Sequence, residues 1–218
     1  HELMNVEGNM NYVSFMNLQD FRNFKSTDGT VIEDPVDGRK EAFKKGGKLA
    51  NFLGCTRKMA LIIGNNLFVH AGVVPYIARK YNVHDLNKIL SLYLWDKLQD
   101  PSEYNDILQS GEFSPMWNRA FGSVKYQHNK DNVCNNLMIP LKKIYKVDRI
   151  FVGHTPDIDR GVQGYCNNSV YLADHGVSKA FDKWDNELKY TGKRSDSRKV
   201  QVLEILNDNK VNILKSKK

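Results

Sequence analysis

The sequence predicts an α/β fold in which a layered sheet is interrupted by a helical insertion. Short apolar runs typical of buried strands occur within residues 59–73 and again from residue 149 onward. Between them, residues 77–147 carry apolar side chains mostly at helical spacing. Strands on both sides of a helical block, in 218 residues of which 41% are hydrophobic, suit one domain with a sizeable core.

The N-terminal part is predicted to be a surface segment followed by a helix. Residues 1–38 are polar and rich in Asn, Gly and Asp, and we expect a helical start and then a long segment that ends in the turn sequence EDPVDG. From Arg39 to Leu53 apolar residues recur at helical spacing, but Gly46 and Gly47 interrupt them. This pattern predicts a helix in two parts.

The strands and the longer helices are predicted from the runs that follow. MALII and LFVHAGV are joined by Gly64-Asn65-Asn66, which predicts a hairpin or a tight corner between buried strands. Further strands are expected at RIFVGHT, SVYLAD, KVQVLEIL and KVNILK, with an Asn-Asp-Asn turn between the last two. Helices are expected at HDLNKILSLYLWDKLQ and at DNVCNNLMIPLKKIYK, the second kinked or divided by Pro140.

The composition of the chain bears on whether its partners include membranes or nucleic acids. No apolar run reaches about 18 residues, so no segment is predicted to span a membrane. The net charge is +7, but much of the excess lies in Lys193, Arg194, Arg198 and the terminal KSKK. A solvated basic tail is therefore favoured over a nucleic-acid surface, while phosphate-bearing partners are compatible with the charge.

The cysteines indicate the redox compartment. Cys55, Cys134 and Cys166 are odd in number and widely spaced, and no Cys-x-x-Cys pair occurs. This usage predicts reduced thiols in a cytoplasmic compartment rather than a disulfide framework or a zinc ribbon.

Two of the six histidines share a setting that predicts a metal site. His70 in LFVHAGV and His154 in IFVGHTP each follow an apolar strand and precede small, turn-forming residues. Strand ends of this kind present functional side chains in α/β sheets, and small neighbours let a metal or a phosphate approach the backbone. Neutral imidazoles suit Zn, Mn, Fe or Ni. Either histidine alone is more often structural, but the two together favour ligation.

The other charged and titratable residues near these motifs are assigned weaker roles. His84 and His128 lie in polar stretches and are predicted to be ordinary surface residues. His175 in LADHGVS follows a strand, and it either faces the site or serves as a turn residue. The charged residues after GHTP are expected to be solvated loop residues: Asp157, Asp159 and Arg160.

The ordered set of motifs resembles a known superfamily. HELMN, GRKEAFKKGGKLA, LFVHAGVVP, WNRAFG, RIFVGHTP and DHGVS resemble the calcineurin-like metallophosphoesterases and are similar, more narrowly, to the Shewanella-like protein phosphatases of the PPP group. The likeness runs from His1 to about Ala180. It implies a layered β-sandwich flanked by helices, with residues 77–147 as a helical lid over the site.

The same resemblance implies that N-terminal strands of the domain are missing. His1-Glu2 resembles the second half of a Gly-Asn-His-Glu motif, and nothing in the sequence matches the Asp-x-His and Gly-Asp-x-x-Asp-Arg-Gly motifs expected before it. We expect residues 1–218 to be the C-terminal portion of a single catalytic domain. Alone, they are expected to bind metal weakly and to have little or no phosphatase activity.

The resemblance also assigns roles to four residues. It implies two divalent metal ions (Mn, Fe or Zn) that share a hydroxide, which attacks phosphorus in line with the leaving oxygen. His70 and His154 match the two histidine ligands of the second metal, and His1 matches the histidine that protonates the leaving group. Arg119, in WNRAFG, matches the arginine whose planar fork of donors holds phosphate oxygens.

The function implied is metal-dependent phosphomonoester hydrolysis. The substrate would be a phosphorylated protein, with Ser, Thr or Tyr undecided, or a small phosphoester. A dinucleoside polyphosphate hydrolase of the same superfamily is an alternative. So is a non-catalytic phosphate-binding scaffold that kept the fold and lost its metals.

Overall fold

The computed structural model describes residues 18–184 and 195–216, which form two compact units. One unit combines the described residues up to Lys58 with Asn87–Glu103, and the other contains Met59–Leu86 and the residues from Tyr104 onward. The described helices are α1 (Pro35–Phe43), α2 (Lys48–Thr56), α3 (Pro75–Lys80), α4 (Val83–Leu94), α5 (Asn105–Leu108) and α6 (Lys130–Tyr145). The described strands are β1 (Phe24–Lys25), β2 (Val31–Ile32), β3 (Ala60–Ile63), β4 (Asn66–Val69), β5 (Arg149–Val152), β6 (Gln163–Tyr165), β7 (Val170–Leu172), β8 (Gln201–Leu206) and β9 (Lys210–Lys215).

In the first unit, the predicted two-part helix is confirmed as α1 and α2. The sequence EDPVDG, predicted as a turn, begins α1 instead. The Asp34 side chain accepts hydrogen bonds from the backbone N–H groups of Val36 and Asp37, and Pro35 occupies the first turn, where no N–H is needed. Helix α1 ends where Lys44 leaves the helical conformation, with ψ of 153°. Gly46, with φ of 73°, allows the left-handed turn that separates it from α2.

The segment before α1 is less exposed than predicted. Phe21 is buried against Ala42 and Phe43, and Phe24 packs on the same cluster. The hairpin β1–β2 and the short 3₁₀ helix at Leu18–Phe21 therefore supply part of this unit's core. The predicted helical start falls within residues 1–17, outside the described residues.

The second unit is built on a mixed five-stranded sheet in the order β3-β4-β5-β7-β6. Strands β3 and β4 form the predicted antiparallel hairpin, whereas β4–β5 and β5–β7 are parallel and β6–β7 antiparallel. The buried side chains of its central strands include Leu67, Val69, Ile150, Val152, Val170 and Leu172. Parallel strands buried on both faces are typical of an α/β architecture, so the predicted fold class is confirmed at that level.

The helical block and the C-terminal hairpin also follow the prediction, with local differences. Helix α6 continues through Pro140 as one helix and is not divided. Strand β6 was not predicted, because QGY lacks an apolar run. Strands β8 and β9 pair across residues 207–209, the predicted Asn-Asp-Asn turn. Among the described residues, no helix is long and apolar enough to cross a membrane.

Two expectations about side chains are wrong. Cys134 in α6 and Cys166 after β6 form a disulfide, so they are not reduced thiols, while Cys55 is free and exposed. Their proximity arises from packing of elements distant in sequence. Arg198, predicted to belong to a solvated tail, is fully buried and donates hydrogen bonds to the Gly176 carbonyl and the Asp182 carboxylate.

Candidate functional site

The candidate site lies where two neighbouring parallel strands end. Strands β4 and β5 are paired with Val69 opposite Val152, so the residues that follow them emerge side by side. The Gly153 N–H donates to the His70 carbonyl over 2.8 Å, which extends the pairing by one residue. This register brings His70 and His154 to the same edge of the sheet, as the sequence predicted.

The two imidazole rings face each other at close range. Nε2 of His70 lies 3.2 Å from Nδ1 of His154, and the ring centroids are 5.0 Å apart. At this separation one ring nitrogen donates its proton and the other accepts it. The arrangement therefore places two ring nitrogens side by side.

The backbone at His154 is in a left-handed conformation, with φ of 63°. A residue with a side chain held there costs on the order of 1–3 kcal/mol, and such residues cluster at functional sites where the surroundings fix them. Neither Gly153 before it nor Thr155 after it has a positive φ, so the strain is confined to His154.

The surroundings of both imidazoles favour the neutral form. Desolvation by the surrounding protein atoms lowers the pKa of His70 to about 4, with a further contribution from neighbouring His154, although part of the His70 side chain reaches solvent. Burial also lowers the pKa of His154, and the positive charge of Arg119 adds to this effect. Neutral imidazole is the form that binds a metal, so no proton has to be lost at neutral pH.

The spacing of the rings fits two ligands of one metal ion. Metal–nitrogen bonds of about 2.1 Å at a tetrahedral angle place two ligand atoms about 3.4 Å apart, close to the observed 3.2 Å between Nε2 and Nδ1. Among the described residues, no third His, Cys, Asp or Glu completes a three-residue cluster. His70 and His154 thus fit as part of a ligand set.

Arg119 lies beside this pair. Its Nη1 donates to the His154 carbonyl at 3.2 Å and to Thr155 Oγ1 at 3.3 Å. A guanidinium has five N–H donors, and within residues 18–184 and 195–216 only Nη1 is seen to donate, so Nε and Nη2 are left for an anion. The predicted catalytic residue is therefore brought to the same strand end as the histidines.

The loop of the WNRAFG motif holds Arg119 and Trp117 against the strand end. The amide of Asn118, which is buried, donates to the carbonyls of Gly72 and Ser114, and its oxygen accepts from the Ala120 N–H. The Trp117 ring lies 5.1 Å from the His154 ring, measured between centroids. Only the motif WNRAFG, read for its arginine, pointed to this loop.

The other predicted residues have different positions. His175 is buried, and its ring nitrogens lie within 3.4 Å of the Ala173 carbonyl and 3.1 Å of the Lys199 carbonyl, which favours a structural role. His84 and His128 are exposed, as predicted. His1 lies outside the described residues, so its predicted catalytic role stays a prediction.

The expectation for the loop after GHTP is wrong in one respect. Asp159 and Arg160 are exposed, but Asp157 is only 3% exposed and lies 3.8 Å from the Lys125 ammonium, which is itself buried. Apart from the proximity of Asp157 to His154 in the chain, nothing in the sequence indicates that this carboxylate is buried. Its partner is 32 positions earlier in the chain.

Comparison with known proteins gives one relative that covers the whole chain. "Uncharacterized protein R398" of Acanthamoeba polyphaga mimivirus is 33% identical over 239 aligned residues, which cover 100% of this chain and 90% of that protein. No protein-family model matches the sequence.

More distant likenesses point to phosphatases. Shewanella-like protein phosphatase 2 of Arabidopsis thaliana is 25% identical over 209 residues, 82% of this chain and 52% of that protein. The solved structure of a point mutant of a cold-active protein tyrosine phosphatase matches 81% of this chain and 47% of its own, with a TM-score of 0.52 and 20% identity. The chain thus spans about half the length of both proteins. The sequence likeness supports a phosphatase family, and the structural likeness supports a shared fold.

Proposed function

The chain belongs to the same family as the mimivirus protein, and from that premise and the strand-end geometry we propose that it is a metal-dependent phosphomonoesterase. The observation that carries the proposal is the convergence of two neutral imidazoles, His70 and His154, with the Arg119 guanidinium beside them. The substrate we propose is a phosphorylated protein. The distant likeness to a plant phosphatase supports the same reaction class.

His70 and His154 hold a divalent metal ion in this proposal, with Mn, Fe or Zn as candidates. When bound, the metal lowers the pKa of water and neutralises phosphate charge. The two ring nitrogens are 3.2 Å apart, and their surroundings lower the pKa of both imidazoles and so favour the neutral form that binds a metal. The calcineurin-like resemblance implies one more metal ion, the first of the pair, for which these two residues are not ligands.

Arg119 binds the phosphate oxygens. Its Nη1 is fixed by the His154 carbonyl and Thr155 Oγ1, and this orients the remaining donors without a reorganisation cost when the anion arrives. The planar fork allows two parallel hydrogen bonds to one phosphate, which a lysine does not offer. His1 protonates the leaving oxygen in the proposal, on the resemblance alone.

The test is hydrolysis of p-nitrophenyl phosphate by the full-length gene product with Mn²⁺. We expect Arg119→Ala to lower kcat/KM by about 10²- to 10³-fold, as removal of a transition-state donor does. Arg119→Lys is expected to recover only part of this loss, since it restores charge but not the fork. Arg79→Ala, at an exposed arginine of α3, is the matched control.

The outcomes separate the alternatives. Turnover of phosphopeptides supports the proposed substrate class, and the preferred side chain follows from a phosphoserine, phosphothreonine and phosphotyrosine series. Turnover confined to dinucleoside polyphosphates supports the other hydrolase, and phosphopeptide binding without turnover supports the scaffold. An Arg119→Ala enzyme with unchanged kcat/KM contradicts the assigned role.

We also propose that residues 1–218 alone bind metal weakly and hydrolyse phosphomonoesters slowly. The resemblance requires metal-binding carboxylates that no motif in this sequence matches. Robust Mn²⁺-dependent hydrolysis by residues 1–218 alone would contradict this proposal.

A further inference from the structure

Three polar side chains meet beneath the loop that carries His154. Lys125 and Asp157 are 5% and 3% exposed, and Lys125 Nζ lies 3.8 Å from Asp157 Oδ1. The Tyr165 hydroxyl donates to Asp157 Oδ2 over 2.7 Å and accepts from Arg160 Nη1 over 3.0 Å. We call Lys125, Asp157 and Tyr165 the buried triad.

The triad also binds the main chain of the loop. Lys125 Nζ donates to the Pro156 carbonyl over 2.7 Å, and the Asp157 N–H donates to the Asp174 carbonyl over 2.9 Å. Pro156 and Asp157, which lie two and three positions after His154, are thus held by contacts with two different segments.

The segment that supplies Lys125 also supplies Arg119. Arg119 contacts the His154 carbonyl, and Gly122 approaches Thr155 so closely that an added Cβ would lie 2.3 Å from Thr155 Cβ. Residues 119–125 therefore contact the loop at three successive points. Several contacts of this kind are needed to hold His154 in its left-handed conformation.

Stability alone does not account for a buried ion pair at this place. Desolvation of two charges offsets most of their attraction, and apolar residues of similar volume are often as stable or more so. What a polar triad adds is directional hydrogen bonding to particular main-chain atoms. Those atoms belong to the loop that aims the His154 ring.

We propose that Lys125, Asp157 and Tyr165 are positioning residues that hold the His154 imidazole against His70 for metal binding. This inference rests on the proposed function, because it assigns the triad to the same site. In this proposal the triad acts through the backbone from His154 to Asp157 rather than by contact with substrate or metal.

The experiment compares Asp157→Asn, Lys125→Met and Tyr165→Phe in the full-length gene product. Asp159→Asn is the matched control, since it makes the same chemical change at an exposed residue of the same loop. Mn²⁺ affinity is measured by calorimetry. The values of kcat and KM are measured with p-nitrophenyl phosphate, and thermal unfolding is followed in EDTA. We expect Asp157→Asn and Lys125→Met to weaken Mn²⁺ binding about tenfold, Tyr165→Phe to weaken it less, and Asp159→Asn to leave it unchanged.

A double variant separates positioning from stability. Lys125→Met with Asp157→Leu removes both buried charges, so its unfolding temperature is expected to recover relative to the single variants. Its Mn²⁺ affinity is expected to stay low, because the bonds to Pro156 and Tyr165 are still absent. Recovery of affinity together with stability would overturn the proposal.

Failure of the proposed function gives a different result. If the wild-type protein binds no Mn²⁺, the function is wrong, and the positioning role is then decided in the metal-free protein by NMR. An NOE between the His70 and His154 rings that is lost in Asp157→Asn and kept in Asp159→Asn supports positioning. The same NOE kept in every variant overturns it.

Discussion

At the scale of the residue, the state of His70 gives the protein a dependence on pH. Its pKa is lowered from 6.5 to about 4 by partial desolvation and by His154, so the folded protein keeps the ring neutral where the unfolded chain protonates it. Between these values the unfolded state binds more protons. Protonation therefore draws the equilibrium toward unfolding, and stability falls as the pH falls.

We predict that the metal-free protein loses stability as the pH is lowered from about 6.5 to about 4. Urea unfolding in EDTA at several pH values measures this loss, and His70→Gln is expected to reduce it. His84→Gln, at an exposed histidine, is the control. A pH dependence that is the same in His70→Gln and the wild type would contradict the assigned cause.

Gly122 gives a second prediction at this scale. An added Cβ would lie 2.3 Å from both Cβ and Oγ1 of Thr155, the residue after His154. We expect Gly122→Ala to lower the free energy of unfolding by about 1–3 kcal/mol and to weaken Mn²⁺ binding. Gly111→Ala is the control, since nothing lies within 4 Å of its added Cβ. Equal unfolding free energies for the two variants would refute the packing argument.

The sequence predicted some of these residues and missed others for a physical reason. His70 and His154 each lie in a local sequence pattern, a strand followed by small residues. That pattern is recognised from the sequence alone. Lys125 and Asp157 have no such pattern, because their burial depends on two segments that only the folded chain brings together. Asp157 was therefore expected in solvent.

At the scale of the element, the parallel pairing of β4 and β5 creates the site. The helical block lies between these strands in sequence, and their register sets Val69 opposite Val152. Apolar runs predicted both strands, but not their pairing, because the residues between them separate the two strands by about 80 positions in the sequence. Strand β6 was missed because its pairing with β7, rather than its own residues, makes it a strand.

The disulfide between α6 and the turn after β6 gives a prediction at this scale. Cys134 and Cys166 are separated by 32 positions, and closing a loop of this size in the unfolded chain is worth about 2–4 kcal/mol. We expect dithiothreitol to lower the free energy of unfolding by this amount, measured by urea denaturation.

The matched control for the disulfide is the Cys134→Ser, Cys166→Ser double variant. It should start at the reduced value and show no response to dithiothreitol. Cys55→Ser, at the exposed free cysteine, should respond as the wild type does. A wild-type protein that is insensitive to the reductant would show that the two thiols are not bonded in solution.

At the scale of the whole molecule, the described site residues belong to one of the two compact units. His70, Arg119 and His154 all fall within Met59–Leu86 and the residues from Tyr104 onward. The strand order β3-β4-β5-β7-β6 of that unit aligns the ends of β4 and β5, from which both histidines emerge. Metal binding to these residues should therefore stabilise this unit in proportion to the logarithm of the metal concentration.

The most direct measurement of the central claim is an NMR titration of the histidine rings with Zn²⁺. Imidazole nitrogen resonances are assigned with His→Gln variants, and Zn²⁺ is added to the full-length gene product. We predict that His70 Nε2 and His154 Nδ1 shift together along one binding curve, while His84 and His128 do not shift along it. Unchanged His70 and His154 resonances, or two independent curves, would contradict a shared metal site.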